Sequence, residues 1–239
     1  MKLLLWRPDE TTRYWAGRVC LLPSSGPSEQ YGGRAFPTHW LEDQIPSSGY
    51  PDFCMHPVYD QDAHSSPQNI VRCFQEGHLL QGLALVVVWG GLLRTKQHVY
   101  RASIEEIEAA LRQALQWIEE DESIESAWCS LRRKLGWSVV MSSKCLHFMA
   151  RSLGYEHNPP VPIDNAVILD VVWPQFLKAV MREPGPRECP PPERWKGGNW
   201  DWPGYNRYMT AIVSWAQHRG WSTTQTENTI FAEYRKKPD

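Results

Sequence analysis

Residues 142–168 read SSKCLHFMARSLGYEHNPPVPIDNAVI, and two positions in them decide how the chain is read. Lys144 stands in the first turn of an expected helix that ends near Gly154. Asp164 follows a proline-rich loop and opens the next expected helix. The N-terminal end of a helix carries a partial positive charge, which disfavours a protonated amine beside it. A neutral lysine amine is a nucleophile. An aspartate at a helix start is held by free backbone N–H groups. Such a pair suits attack at a sugar carbon that becomes oxocarbenium-like: the carboxylate stabilises the charge and the amine traps it. The same residues also fit a plain reading, a solvated lysine and an ordinary helix cap.

Helical signals surround this stretch. SSPQNIVRCFQEG opens with Ser66 as a cap and Pro67 in the first turn, and Gly77 suits its stop. LLQGLALVVVWGG suits a buried strand or a buried helix by composition, and a helix is expected because Gly90-Gly91 fits a helix exit and helices surround it. In SIEEIEAALRQALQWIEEDES, Ser103 and Glu106 form a capping box, and Ile104, Ile107, Leu111, Ala114, Leu115 and Ile118 recur at helical spacing. ESIESAWCSLRRKLG is a further helix closed by Gly136. After Asp164 a helix is expected up to Pro174, which either kinks it or begins another. DWPGYNRYMTAIVSWAQHRG is expected to be capped by Asp201 and ended by Gly220, and Thr224 with Glu227 marks a last capping box. Residues 183–199 read as a loop or linker, and short strands are expected only around Trp15–Leu22. The fold class is therefore mainly α, with an irregular N-terminal segment over 1–64 packed on a helical body over 65–239.

The 239 residues suffice for one large domain or two small lobes. At 42% hydrophobic and 22% charged, the composition is that of an ordinary globular protein. No apolar run approaches the roughly 20 residues of a membrane span. MKLLLW is too short for a secretory signal, so a cytoplasmic location is expected. Six cysteines occur without a C-x-x-C pair, which favours reduced thiols over a zinc or iron–sulfur centre. The net charge of −2 gives no general grip on nucleic acid. A local basic stretch does exist, with Arg132, Arg133, Lys134, Lys144 and Arg151 following the acidic run at 119–122. Thirteen tryptophans are unusual; they fill a core or offer stacking platforms.

A helical hairpin with SSK on its second helix, followed twenty residues after Lys144 by Val161-Pro162-Ile163-Asp164, resembles the helix-hairpin-helix DNA glycosylases, most closely the 8-oxoguanine glycosylase branch. The resemblance covers about residues 100–180 at the level of helices and is close over 142–168. It implies two helical lobes around a cleft, with the hairpin at 124–154. It gives Lys144 the role of the amine that forms a Schiff base with deoxyribose, and Asp164 that of the assisting carboxylate. The chain departs from the family's G-x-G hairpin turn: Val140 and Ser142 stand where glycines would, and Gly136 lies upstream. Family hairpins hold a DNA phosphate through backbone N–H groups, often with a monovalent cation, and no other cofactor or metal is implied. Arg132, Arg133, Lys134, Gly136, Ser138, Ser142 and Ser143 are the residues expected at the DNA backbone. The flipped base needs a pocket and a wedge, for which Trp89, Trp137, Trp173, Trp200, Trp202, Asn199 and Asp201 are candidates, each also a plausible core or surface residue.

The expected partner is double-stranded DNA carrying a modified base, with no membrane and no obligate protein partner. The altered hairpin and tryptophan-rich flanks resemble bacterial anti-phage glycosylases that remove glucosylated hydroxymethylcytosine. A glucose would stack on tryptophan and hydrogen-bond to groups such as Asn199, Asp201 and Asn206. Repair of oxidised guanine is the alternative. Two other classes remain open on the residues alone. DFCMHPVYDQDAH, residues 52–64, collects ligand types for a metal-dependent hydrolase, though without a fixed metal spacing. A non-catalytic DNA- or sugar-binding module would use the tryptophans and leave Lys144 on the surface.

Overall fold

The computed structural model describes residues 6–23, 26–27, 66–90, 99, 101–120, 123–155, 159–185 and 200–235. Among them the fold is mainly helical, as the patterning predicts, and contains no strands. The chain forms two compact units, Met1–Gly32 with His157–Asp239, and Gly33–Glu156. Most of the segment 1–64 lies outside the described residues, as do the potential metal ligands at 52–64. The described residues 6–23 belong to the first unit.

The second unit contains α2 (Pro67–Gln75), α3 (Leu79–Trp89), α4 (Ile104–Glu119), α5 (Ile124–Leu135) and α6 (Val139–Ser152). Ser66 caps α2 by accepting from the Asn69 N–H. The capping box of α4 is complete, with Ser103 and Glu106 each accepting the other's backbone N–H. Its apolar face (Ile107, Leu111, Ala114, Ile118) meets α5, which buries Ile124, Trp128, Leu131 and Leu135. Each such large side chain contributes roughly 1.5–3 kcal/mol on leaving water. α6 differs from both: every residue from Val139 to Ala150 is buried. A helix covered on all sides belongs at the centre, and α6 packs on α2, α3, α4 and α5.

The turn between α5 and α6 is three residues long. Gly136 ends α5 in the left-handed conformation, with φ of 64°. Trp137 turns inward and donates its indole N–H to the Val99 carbonyl at 3.0 Å. Ser138 caps α6 through the Met141 N–H. α6 therefore begins at Val139, and Lys144 is its sixth residue, not a member of its first turn. The helix-end field fades within one turn, so it cannot set the state of the Lys144 amine as the sequence suggested.

The first unit contains α1 (Glu10–Arg18), a π-helix π1 (Asn165–Val172), α7 (Trp173–Val180), α8 (Trp202–Arg219) and α9 (Thr223–Tyr234). α1 corrects the expectation of short strands around Trp15–Leu22. Asp9 caps it by accepting the Thr12 N–H at 2.8 Å, and Thr12, Trp15 and Ala16 form its buried face. Hydrogen bonds join this segment to the far end of the sequence. Trp215 donates to the Val19 carbonyl, Tyr234 to Leu21, and the Asp9 N–H donates to Thr210. α8 is capped by Asp201 and ended by Gly220, as expected. The cap of α9 is Ser222 with Gln225, two residues before the expected Thr224–Glu227 pair. Glu227 is buried inside the helix instead.

Gly136→Ala puts a Cβ on a left-handed residue, a cost of about 1–2 kcal/mol. We expect thermal melts of this variant to fall by about 2–4 °C per kcal/mol lost, without change in helical content by circular dichroism.

Candidate functional site

The two candidate catalytic groups lie one in each unit. Lys144 is only 5% exposed. Its side-chain nitrogen donates to the Gly90 carbonyl at 3.1 Å and lies 5.5 Å from the centre of the Trp89 ring. A buried ammonium needs such partners, because desolvation disfavours an isolated charge. The ring face offers a further ~0.5–2 kcal/mol of attraction. Phe148, one turn beyond Lys144 on α6, meets the Trp89 ring edge-on at 4.9 Å. Cys145 beside the lysine is fully buried, which pushes its thiol far up and leaves it an inert neighbour.

Asp164 is partly exposed and caps π1, accepting the Val167 N–H at 3.1 Å. Its own carbonyl accepts from both Ile168 and Leu169, the signature of a helix wound wider than α. At Trp173 the winding tightens into α7, with Pro174 in the first turn where a missing N–H is tolerated. Pro174 thus begins a separate helix. The loop before Asp164 is held from behind by α8. Tyr205 donates to the Val161 carbonyl at 2.9 Å and Tyr208 to the Pro162 carbonyl at 3.3 Å. Both phenols are buried, and burial followed by the Glu227 carboxylate pushes them well above the ordinary phenol value. For Tyr208, Tyr205 and then Asp164 add to the upward push.

The expected DNA-backbone residues divide by exposure. Arg133, Lys134, Gly136 and Ser138 are exposed at the hairpin. Arg132 is half-buried and stacks on Trp128 at 5.6 Å. Ser142 and Ser143 are fully buried within α6, and the Ser142 N–H is spent on the Ser138 carbonyl. Neither serine side chain can meet a phosphate at the surface, which corrects that expectation.

The tryptophans divide in the same way. Trp137 anchors the hairpin turn from inside. Trp173 and Trp200 are each 2% exposed and meet edge-on at 5.5 Å in a cluster with Tyr208. These three are core side chains, since no ring face is left open for a base. Trp89 packs on Lys144, and Trp202 keeps partial exposure in the first turn of α8. Asp201 is exposed but holds the Gly204 N–H as a cap, and Asn206 donates to the Arg7 carbonyl. Asn199 lies outside the described residues. Among the described residues no cluster of His, Cys, Asp or Glu could hold a metal, and no helix is long and apolar enough to cross a membrane.

Gly90, Tyr205 and Tyr208 escaped the sequence reading. Gly90 carried only the signal of a helix exit. Tyr205 and Tyr208 stand three apart on α8, enough to predict a shared face but not the carbonyls they reach.

The raised tyrosines give a pH signature. An unfolded tyrosine loses its proton near pH 10, while these two keep theirs in the folded state. Folded protein then binds more protons, so their contribution to stability is complete below pH 10 and is lost as the pH rises further. We expect melting temperatures to fall above about pH 10. The double variant Tyr205→Phe/Tyr208→Phe should show a shallower fall from a lower starting stability, each lost buried bond costing about 1–3 kcal/mol.

The family described as "Putative 8-oxoguanine DNA glycosylase OGG-like protein" matches residues 35–231, most of the chain and both candidate catalytic positions. No curated protein and no solved structure matches the chain. By the extent of that match, the chain belongs to the OGG-like family of DNA glycosylases.

Proposed function

We propose that the protein excises a modified base from double-stranded DNA, with Lys144 as nucleophile and Asp164 as the stabilising carboxylate. The observation that carries this reading is the buried lysine on the central helix of a glycosylase-family chain. Lysine is almost never buried without a specific partner, and a buried amine is a group whose chemistry a protein can use. In the proposed step the lysine nitrogen, as the free amine, forms a bond to C1′ of the deoxyribose. The bond from C1′ to the base breaks, and the base leaves with the electron pair and takes up a proton. Ring opening turns the adduct into an imine. Water hydrolyses the imine, freeing lysine and leaving an abasic site. Asp164 stabilises the positive charge that develops on the sugar.

The substrate proposed first is glucosylated hydroxymethylcytosine, in a role against phage DNA. It rests on the resemblance carried by the altered hairpin. Exposed Asp201 and partly exposed Trp202, at the start of α8, are described residues suited to contact a sugar. Oxidised guanine is the second reading, favoured by the family's description. Exposed Arg133 and Lys134 are proposed to meet phosphates beside the hairpin.

The deciding experiment incubates the protein with plain, oxidised, hydroxymethylated and glucosylated DNA and identifies released bases by mass spectrometry. Release of glucosylated cytosine alone is expected; release of 8-oxoguanine alone would move the protein to the second reading. Borohydride should trap the wild-type protein on its substrate, and Lys144→Ala should abolish both trapping and release. If Lys144→Ala releases base at the wild-type rate, the lysine mechanism is wrong. Arg133→Ala/Lys134→Ala should weaken binding to any DNA sequence and reduce the salt slope of the affinity by about 2. Binding with an unchanged salt slope would place the DNA elsewhere.

A further inference from the structure

We infer that the end of α3 is a berth that positions the Lys144 amine, with Gly90 and Trp89 as positioning residues for the reaction proposed above. The inference rests on that reading for its consequence but on separate observations for its geometry.

Three features of residues 89–90 bear on one side chain. The Gly90 carbonyl accepts from the lysine nitrogen at 3.1 Å. The Trp89 ring lies 5.5 Å from the same nitrogen. Gly90 itself is spare of side chain where the lysine passes: a Cβ there would stand 3.0 Å from the lysine Cδ, 3.1 Å from its nitrogen and 3.0 Å from the Val86 carbonyl oxygen. Such contacts are tighter than ordinary packing, so a larger residue at 90 displaces its neighbours by a few tenths of an ångström, and the lysine end yields more readily than the Val86 backbone. Its φ is not in the left-handed region, so what favours glycine here is space, which a Cβ would take from both the lysine and the Val86 carbonyl. The close approach of Lys144 is therefore a reason for glycine at this position.

The berth is also packed from behind. Trp89 is 8% exposed and braced by Phe148, which shares the Lys144 face of α6 one turn on. The carbonyl belongs to the residue that follows the last turn of a buried helix, and the Gly90 N–H is bonded to the Val86 carbonyl at 2.8 Å. A long amine is thus met by a dipole and a ring that are each held by neighbours of their own. Pre-set geometry of this kind raises the rate of an attack that depends on approach, and displacement by about 1 Å can cost roughly 100-fold.

The test uses DNA already bearing an abasic site, so that base recognition plays no part. The lysine nitrogen adds to the sugar aldehyde, water leaves, and borohydride delivers hydride to the imine carbon. Trapping rate, DNA affinity and melting temperature are measured for wild type, Gly90→Ala, Trp89→Phe, Trp89→Leu and Lys144→Ala. Gly90→Ala is expected to slow trapping by about 10- to 100-fold with affinity within about twofold of wild type. Trp89→Phe keeps a ring face and should retain more trapping than Trp89→Leu. Should Gly90→Ala fail to fold, the Trp89 pair decides. Trapping at the wild-type rate in the folded variants overturns the berth, as does a loss of trapping that only mirrors lost affinity. Base release by Lys144→Ala at the wild-type rate on intact substrate would instead overturn the underlying reading and leave the geometry standing without a catalytic role.

Discussion

The constraint on which the second unit turns is the burial of one amine. Lys144 lies on a helix with no exposed face over Val139–Ala150, and an unpartnered ammonium there would be strongly disfavoured. The Gly90 carbonyl and the Trp89 ring make the position tenable. They also tie α3 to α6, because the lysine reaches across from one helix to the end of the other. The surrounding apolar packing supplies the bulk of stability, as in any helical core. The lysine contact adds a specific link between two helices, since it joins the amine of one to a carbonyl and a ring at the end of the other.

The first unit treats its carboxylate differently. Asp164 is not buried; it is placed. The loop before it is fastened by two neutral phenols on α8 that donate to consecutive backbone carbonyls. The helix after it is wound wide, and its first turn bonds back to Asp164 through both backbone and side chain. π-turns are costly in packing and recur at functional positions, where they adjust the direction of a side chain. One unit thus holds an amine by burying it against a dipole and a ring, and the other holds a carboxylate by fixing the backbone on either side.

Much of this architecture is written in local signals. Ser66, Ser103, Asp201 and the glycines at 136 and 220 mark helix ends because capping is a matter of a few neighbouring residues. Where two signals compete, locality is not enough. Ser222 with Gln225 outbids Thr224 with Glu227 because Glu227 is drawn into the interior beside Tyr205 and Tyr208. α1 was hidden for a related reason. Its short apolar face reads as loop until α8, the distant helix that packs on it, is known. The tryptophans are the plainest case: Trp137, Trp173 and Trp200 look like stacking platforms in the sequence and are core residues in space.

The sequence by itself determined the helical class, most helix ends, and the pair of residues on which the chemistry is proposed to rest. It could do so because helical periodicity, caps and the V-P-I-D spacing are short-range patterns. Tertiary structure alone decided that Lys144 sits in the second turn of a buried helix rather than at its mouth, and that Gly90 and Trp89, 54 and 55 residues earlier, receive it. It also decided that Tyr205 and Tyr208 fasten the loop that leads to Asp164. The physical reason is common to these cases: what a buried polar group bonds to depends on which distant carbonyl or ring the packing brings near, and no local pattern encodes that.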